Sequence, residues 1–213
     1  MKSNNWCSPT RFLHLGLVLT VSAQLIISLL MTTPDHTGTA FSKFAFDAHE
    51  VVGLLALGIV IMHWIWSIFS QADGGLSHLF PVSKQACSRV IKDVNNLKQA
   101  KLPATNQKGG LIGLIHGLGF LAVTGIASTG AVLFVIFPET GEPGVLAETF
   151  AEMHEAIATL VWTYWIGHGG MALIHHFKGE AVLKNMFSFK NRDKATKKIG
   201  HQLKTQHRII HKH

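Results

Sequence analysis

The sequence predicts an all-α integral membrane protein: a four-helix bundle with both termini on the cytoplasmic side. Three observations predict it. Four stretches are long and apolar enough to cross a bilayer, the charge is segregated into the segments between and after them, and each of the four carries histidine.

A membrane helix needs about 20 mostly apolar residues. The first such stretch runs from about Phe12 to Met31, the second from about His49 to Phe69, the third from about Leu111 to Phe137 and the fourth from about His154 to Phe177. The first is too long for a cleaved signal peptide and no A-x-A site follows it, so it is read as a retained span. Pro34 follows span one, Asp73-Gly74-Gly75 follows span two, Pro138 stops span three, and Pro143-Gly144 bends the loop before span four. Between spans two and three, Gln71 to Lys108 is polar, and a mild apolar period predicts a surface helix over Val82 to Leu102. Residues 1–190 thus form one transmembrane domain, and 191–213 a basic His/Lys-rich cytoplasmic tail.

The chain is 47% hydrophobic and only 15% charged, against about 25% charged residues in soluble domains. Its net charge of +7 points to a membrane surface and not to nucleic acid, because the lysines flank the apolar spans. The positive-inside rule sets the orientation. Lys84, Arg89, Lys92, Lys98, Lys101 and Lys108 follow span two, the tail from Lys178 is basic, and Lys2 and Arg11 precede span one. The loop before span two has only Lys43; the loop before span four carries Glu139, Glu142, Glu148 and Glu152. Cys7 and Cys87 fall on the cytoplasmic side and are read as free thiols. The absence of C-x-x-C-H excludes a covalently attached c-type haem.

Ionisable residues inside a span are functional candidates by default. Here they are His14, His49, His63, His116, His154 and His168. His154 and His168 are 14 residues apart, nearly four whole turns, so they share a face about 21 Å apart along the axis. His49 and His63 repeat that spacing. A bis-histidine haem takes one imidazole from each of two facing helices at equal depth. Two such ladders accommodate two haems at two levels, with both axial positions filled, which suits electron transfer over oxygen chemistry. Gly53, one turn after His49, and Gly167, Gly169 and Gly170 around His168 are small residues of the kind that permit close approach or ordinary helix packing.

The chain resembles the prokaryotic cytochrome b561 family, which includes the b-type subunits of respiratory hydrogenases and formate dehydrogenases. The resemblance spans about residues 10–187. It rests on Arg11, Phe12, Leu13 and His14 opening span one, on His49 with Gly53, on His116 with Gly130, and on span four and its sequel: His154-Glu155, His168, His175-His176-Phe177 and Val182-Leu183-Lys184-Asn185-Met186. The resemblance implies two haem b groups, an outer one held by His49 and His154 and an inner one by His14 and His168. It departs at His63, where the family commonly has arginine. His63 lies at the depth of His14 and His168 and competes as the inner ligand; the family pattern favours His14. Leu15 also departs, standing where tryptophan commonly follows the first ligand. His116, His175 and His176 are candidate contacts to a haem propionate or a quinone headgroup, and Arg11 and Lys178 candidate propionate partners; for His175, His176, Arg11 and Lys178 a surface or orientation role is the competing reading. The implied function is transmembrane electron transfer in the bacterial inner membrane, between the quinone pool (ubiquinone or menaquinone) and a periplasmic redox protein such as a c-type cytochrome or an oxidoreductase subunit. A homodimer is compatible with it.

Two other readings stand beside this one. A superoxide:quinone oxidoreductase needs an electropositive outer face to steer an anion, whereas the outer loops here are acidic. A haem-free metal permease lined by histidines explains buried imidazoles but not their 14-residue pairing. Trp64 and Trp66 are expected as interfacial anchors and Trp162 and Trp165 as packing residues. His201, His207, His211 and His213 are expected in a solvated basic tail. Serine-nucleophile, P-loop and H-E-x-x-H signatures are absent.

Overall fold

The computed structural model describes residues 6–32, 38–70, 75–99, 110–137, 143–179 and 182–187. The expected turns at Pro34, Asp73-Gly74 and Pro138, Lys101, Lys108, Glu139, Glu142, and the tail beyond residue 187 lie outside the described residues. The helices are α1 (Ser8–Ser28), α2 (Ala40–Phe69), α3 (Gly75–Leu79), α4 (Lys84–Lys98), α5 (Gly110–Ile136), α6 (Val145–Phe177) and α7 (Val182–Phe187). Four of them, α1, α2, α5 and α6, are long and apolar enough to cross a membrane.

The local chemistry of the helix ends agrees with these boundaries. Proline occupies the first turn of α1, where its missing N–H costs nothing. The Thr39 hydroxyl accepts from Ser42 N at 3.2 Å to start α2, and Ser83 accepts from Ala86 N at 3.2 Å to start α4. The surface helix expected over Val82 to Leu102 is α4. Its Asp93 carboxylate accepts from Leu111 N at 3.0 Å, placing negative charge at the N-terminus of α5 and tying α4 to it. Gly110 turns the chain there with φ 67, and a Cβ on it would crowd the Asp93 carboxylate.

The helices α2 and α6 each begin nine residues before the predicted spans, at Ala40 and Val145 instead of His49 and His154. Hydropathy locates the part of a helix that meets hydrocarbon; the backbone hydrogen bonds continue into the polar interface. The short α3 was not anticipated, because five residues show no measurable period.

In sequence order α1 packs on α2, α2 on α5 and α5 on α6, while α3 and α4 lie against α5 and α7 against α6 and α1. The core is centred on Val60, Phe120 and Val123, with Leu17, Val21, Trp64 and Leu79 around them. Large apolar side chains such as Phe12, Leu19, Leu55, Met62, Ile65, Leu118, Leu160 and Ile166 point outward, an arrangement that suits lipid and not water. Trp64 turns toward α5. Its ring lies against Phe120 and its Nε1 donates to Thr124 Oγ1 at 3.0 Å, because α5 offers a hydroxyl at the same depth. Trp66 Nε1 donates to Thr10 Oγ1 at 2.9 Å, joining α2 to α1, and Trp165 Nε1 donates to Ser22 Oγ at 2.9 Å, joining α6 to α1.

Glycines on α5 admit close neighbours. A Cβ at Gly113 would strike the His78 carbonyl and one at Gly117 the Leu79 carbonyl, so the backbone of α3 rests on a G-x-x-x-G face. A Cβ at Gly119 would overlap the Tyr164 ring of α6. Tyr164 in turn stacks on His168, ring centres 5.2 Å apart and planes 11° from parallel. Gly119→Leu is therefore expected to destabilise the bundle by about 1–3 kcal/mol through overpacking. Its thermal unfolding in detergent should occur well below that of wild type, whereas the mutation Gly58→Leu, at a position with no atom within 4 Å of a Cβ, should leave the midpoint near wild type.

Candidate functional site

The continuous helix α6 carries both His154 and His168, and α2 carries His49 and His63. Side chains from three helices meet in two places. At one end His49 of α2 faces His154 of α6, with ring centres 6.2 Å apart and planes at 79°. At the other end His14 of α1 faces His168 of α6, with ring centres 6.4 Å apart and planes at 65°. The two places are separated by 14 residues of α6, roughly 21 Å along its axis.

These separations have a chemical meaning. A metal–imidazole bond is about 2.0–2.1 Å long and the ring centre lies roughly 1.1 Å behind the donor nitrogen, so two imidazoles trans on one metal have centres about 6.3 Å apart. Both pairs stand at that distance, too far apart to hydrogen-bond ring to ring. His14 Nδ1 and His49 Nδ1 are buried without a hydrogen-bond partner. Next to His168 in the chain, Gly167, Gly169 and Gly170 have no atom within 4 Å of a Cβ position.

The other predicted residues are placed differently. His63 does not face His168; its ring lies 4.8 Å from Phe120 and its Nδ1 is 3.2 Å from Ser67 Oγ, one turn on. His116 donates from Nδ1 to the Ile112 carbonyl at 2.7 Å, and its ring centre is 4.9 Å from that of His168, closer than two trans ligands stand. His175 is buried, whereas His176 is exposed beside Phe177. Arg11 is buried and donates from Nε to the Met186 carbonyl at 3.0 Å, so it holds α7 in place next to His14, whose ring is 6.2 Å from Phe187. Lys178 is the exposed C-cap residue of α6. Gly53 admits Gln24: a Cβ there would meet Gln24 Nε2 at 2.7 Å, and that nitrogen donates to the His49 carbonyl at 2.8 Å.

Sequence reasoning missed three neighbours of these rings. His78 on α3 is buried, 6.4 Å from His116 and 5.1 Å from Trp6. Tyr164 covers one face of His168. Thr129 Oγ1 lies 2.9 Å from His154 Nδ1. Only Tyr164 had a signal in the sequence, its spacing of four residues from His168.

Four membrane-long helices that bring imidazoles face to face at two levels define a class: the integral membrane cytochromes with histidine-ligated haem. The chain belongs to the prokaryotic cytochrome b561 family, whose model matches residues 5–189. No curated protein and no solved structure matches it. Membership implies haem b and membrane electron transfer. The residues present fit that group: imidazole nitrogens in facing pairs, at the separation an iron between them requires, within an apolar bundle.

Proposed function

We propose that this protein carries electrons across the bilayer between a quinone pool and a redox protein on the opposite side, using two b-type haems. His49 and His154 hold one, and His14 and His168 hold the other. Bound between such a pair, low-spin haem supplies reversible one-electron transfer with little rearrangement, since no coordination position is open to oxygen. The observation that carries the reading is the repeated separation, 6.2 Å and 6.4 Å, of two imidazole pairs that share one helix.

The protein's own part is to fix the two ring pairs and to exclude water. Gln24 engages the carbonyl of His49, Thr129 engages His154, and Tyr164 covers His168. Arg11 fastens α7 across the His14 end. Lys84, Arg89, Lys92 and Lys98 on α4 support, by the positive-inside rule, a cytoplasmic location in the bacterial inner membrane for that end and both termini. Ubiquinone or menaquinone would be met there, near His116 and His175.

The opposite end is acidic. Asp47 and Glu50 of α2 and Glu148, Glu152 and Glu155 of α6 surround the level of His49 and His154, with Lys43 the one Lys or Arg on these helix segments. Such a rim repels superoxide and attracts a cationic protein such as a basic c-type cytochrome. Rapid haem reduction on stopped-flow mixing with superoxide would favour the oxidase reading instead. Reduction of a basic cytochrome is expected to slow about 10-fold or more from low to high salt, as screening cuts electrostatic steering.

The direct test uses proteoliposomes with quinol supplied on one side and a membrane-impermeant acceptor on the other. The proposal expects acceptor reduction that requires the protein. Purified protein without a Soret band after expression with haem available would mean a haem-free permease, and haem-loaded vesicles that pass no electrons would remove the transmembrane role.

A further inference from the structure

The four rings of the two pairs are not held alike. Thr129 of α5 is buried, and its single hydroxyl proton has two carbonyls to serve, Gly125 O and Ile126 O, both at 3.0 Å. A hydroxyl that donates to a carbonyl still has lone pairs to offer. The atom it faces at 2.9 Å is His154 Nδ1. With the hydroxyl proton directed to a carbonyl, this contact is a hydrogen bond donated by Nδ1, which leaves Nε2 as the lone-pair nitrogen.

A second contact acts on the same ring. A Cβ on the neighbouring residue, Gly130, would stand 3.1 Å from His154 Cε1. The imidazole is thus bounded by a hydroxyl on one side and bare backbone on another, both from one turn of α5. By contrast, His49 Nδ1 and His14 Nδ1 are buried with no hydrogen-bond partner.

We propose that Thr129 is a positioning residue for the haem held by His49 and His154: its hydroxyl accepts the Nδ1 proton of His154, sets the tautomer and ring orientation, and lowers the potential of that haem alone. This rests on the two-haem reading above. A hydrogen bond accepted from the distal N–H of a ligating imidazole makes the ring more basic, which favours ferric over ferrous iron. Thr129 moves no electron; it acts through His154.

The experiment is a spectroscopic redox titration of purified wild type, Thr129→Val, Thr129→Ser and His154→Ala, with haem counted in each and the low-spin ferric EPR signals recorded. Thr129→Val is expected to keep two haems, to raise one midpoint potential while the other stays put, and to shift the EPR signal of the same haem. Thr129→Ser, which keeps the hydroxyl, is expected to restore both. Thr129→Ala removes the hydroxyl without adding bulk, and serves if the valine variant does not assemble. Wild-type potentials and EPR signals in the Val and Ala variants would overturn the proposal, as would equal shifts in both haems. Failure of the underlying reading looks different: His154→Ala would then retain both haems, or wild type would never have held two.

Discussion

His168→Ala is expected to yield a folded protein with one haem per chain where the proposal gives wild type two, and vesicles containing it should pass electrons no faster than protein-free vesicles. His168 stands 6.4 Å from His14 across the α1–α6 space, the separation of a trans pair. His116 lies close by, with its ring centre 4.9 Å from that of His168, but it is no substitute. It sits on α5, its Nδ1 is committed to the Ile112 carbonyl at 2.7 Å, and a move toward the His168 position would break that bond inside an apolar bundle. A lost hydrogen bond there costs about 1–3 kcal/mol. The readout is the pyridine haemochrome count per chain, with transmembrane electron transfer in the same preparation. Two haems in the His168→Ala protein would place the ligand elsewhere.

The second large effect separates His14 from His63. His14→Ala is expected to lose the same haem as His168→Ala, leaving one per chain with the spectrum and midpoint of the other site. His63→Ala is expected to keep both. His63 spends its position on α2 against Phe120, with Nδ1 beside Ser67 Oγ. Truncating it removes packing next to the core residues Val60 and Phe120, so a lowered melting temperature with full haem content is the anticipated phenotype. Haem loss from His63→Ala together with retention in His14→Ala would reverse the assignment.

Much of the architecture was legible in the chain. Four apolar stretches separated by charged segments are a strong signal, because a bilayer leaves a helix few ways to hide its polar groups. The helix starts at Ala40 and Val145 were not, since a residue such as Asp47 or Glu148 ends an apolar run without ending a helix. The 14-residue spacing of His154 and His168 read directly as one face of a helix. Spacing could not choose between His14 and His63, because adding 14 to His49 reaches His63 as naturally as the family pattern reaches His14. The distinction lies in where each ring turns, and that depends on Phe120 and Ser67, one from another helix and one a turn away.

Side-chain partners across helices were the least legible. Gly53 reads in the sequence as close approach or ordinary helix packing; the partner it admits, Gln24, lies 25 residues from His49. Trp64 follows His63 near the end of a span, a belt position; its partner Thr124, 60 residues on, has no local signal. Thr129 and His154 are likewise 25 residues apart on separate helices. Such pairs follow from packing register, which no local pattern encodes. His78 falls in a polar segment between spans, and only the G-x-x-x-G face of α5 explains how α3 comes close enough to bury it.

The most direct measurement is low-temperature EPR of the oxidised, purified wild-type protein, integrated against its iron content. Two distinct low-spin ferric signals that sum to two spins per chain are what paired imidazoles at both ends of α6 produce. A single signal, or a substantial high-spin ferric component, would mean that at least one iron lacks its second histidine, and the paired-ring basis of the proposed function would be gone.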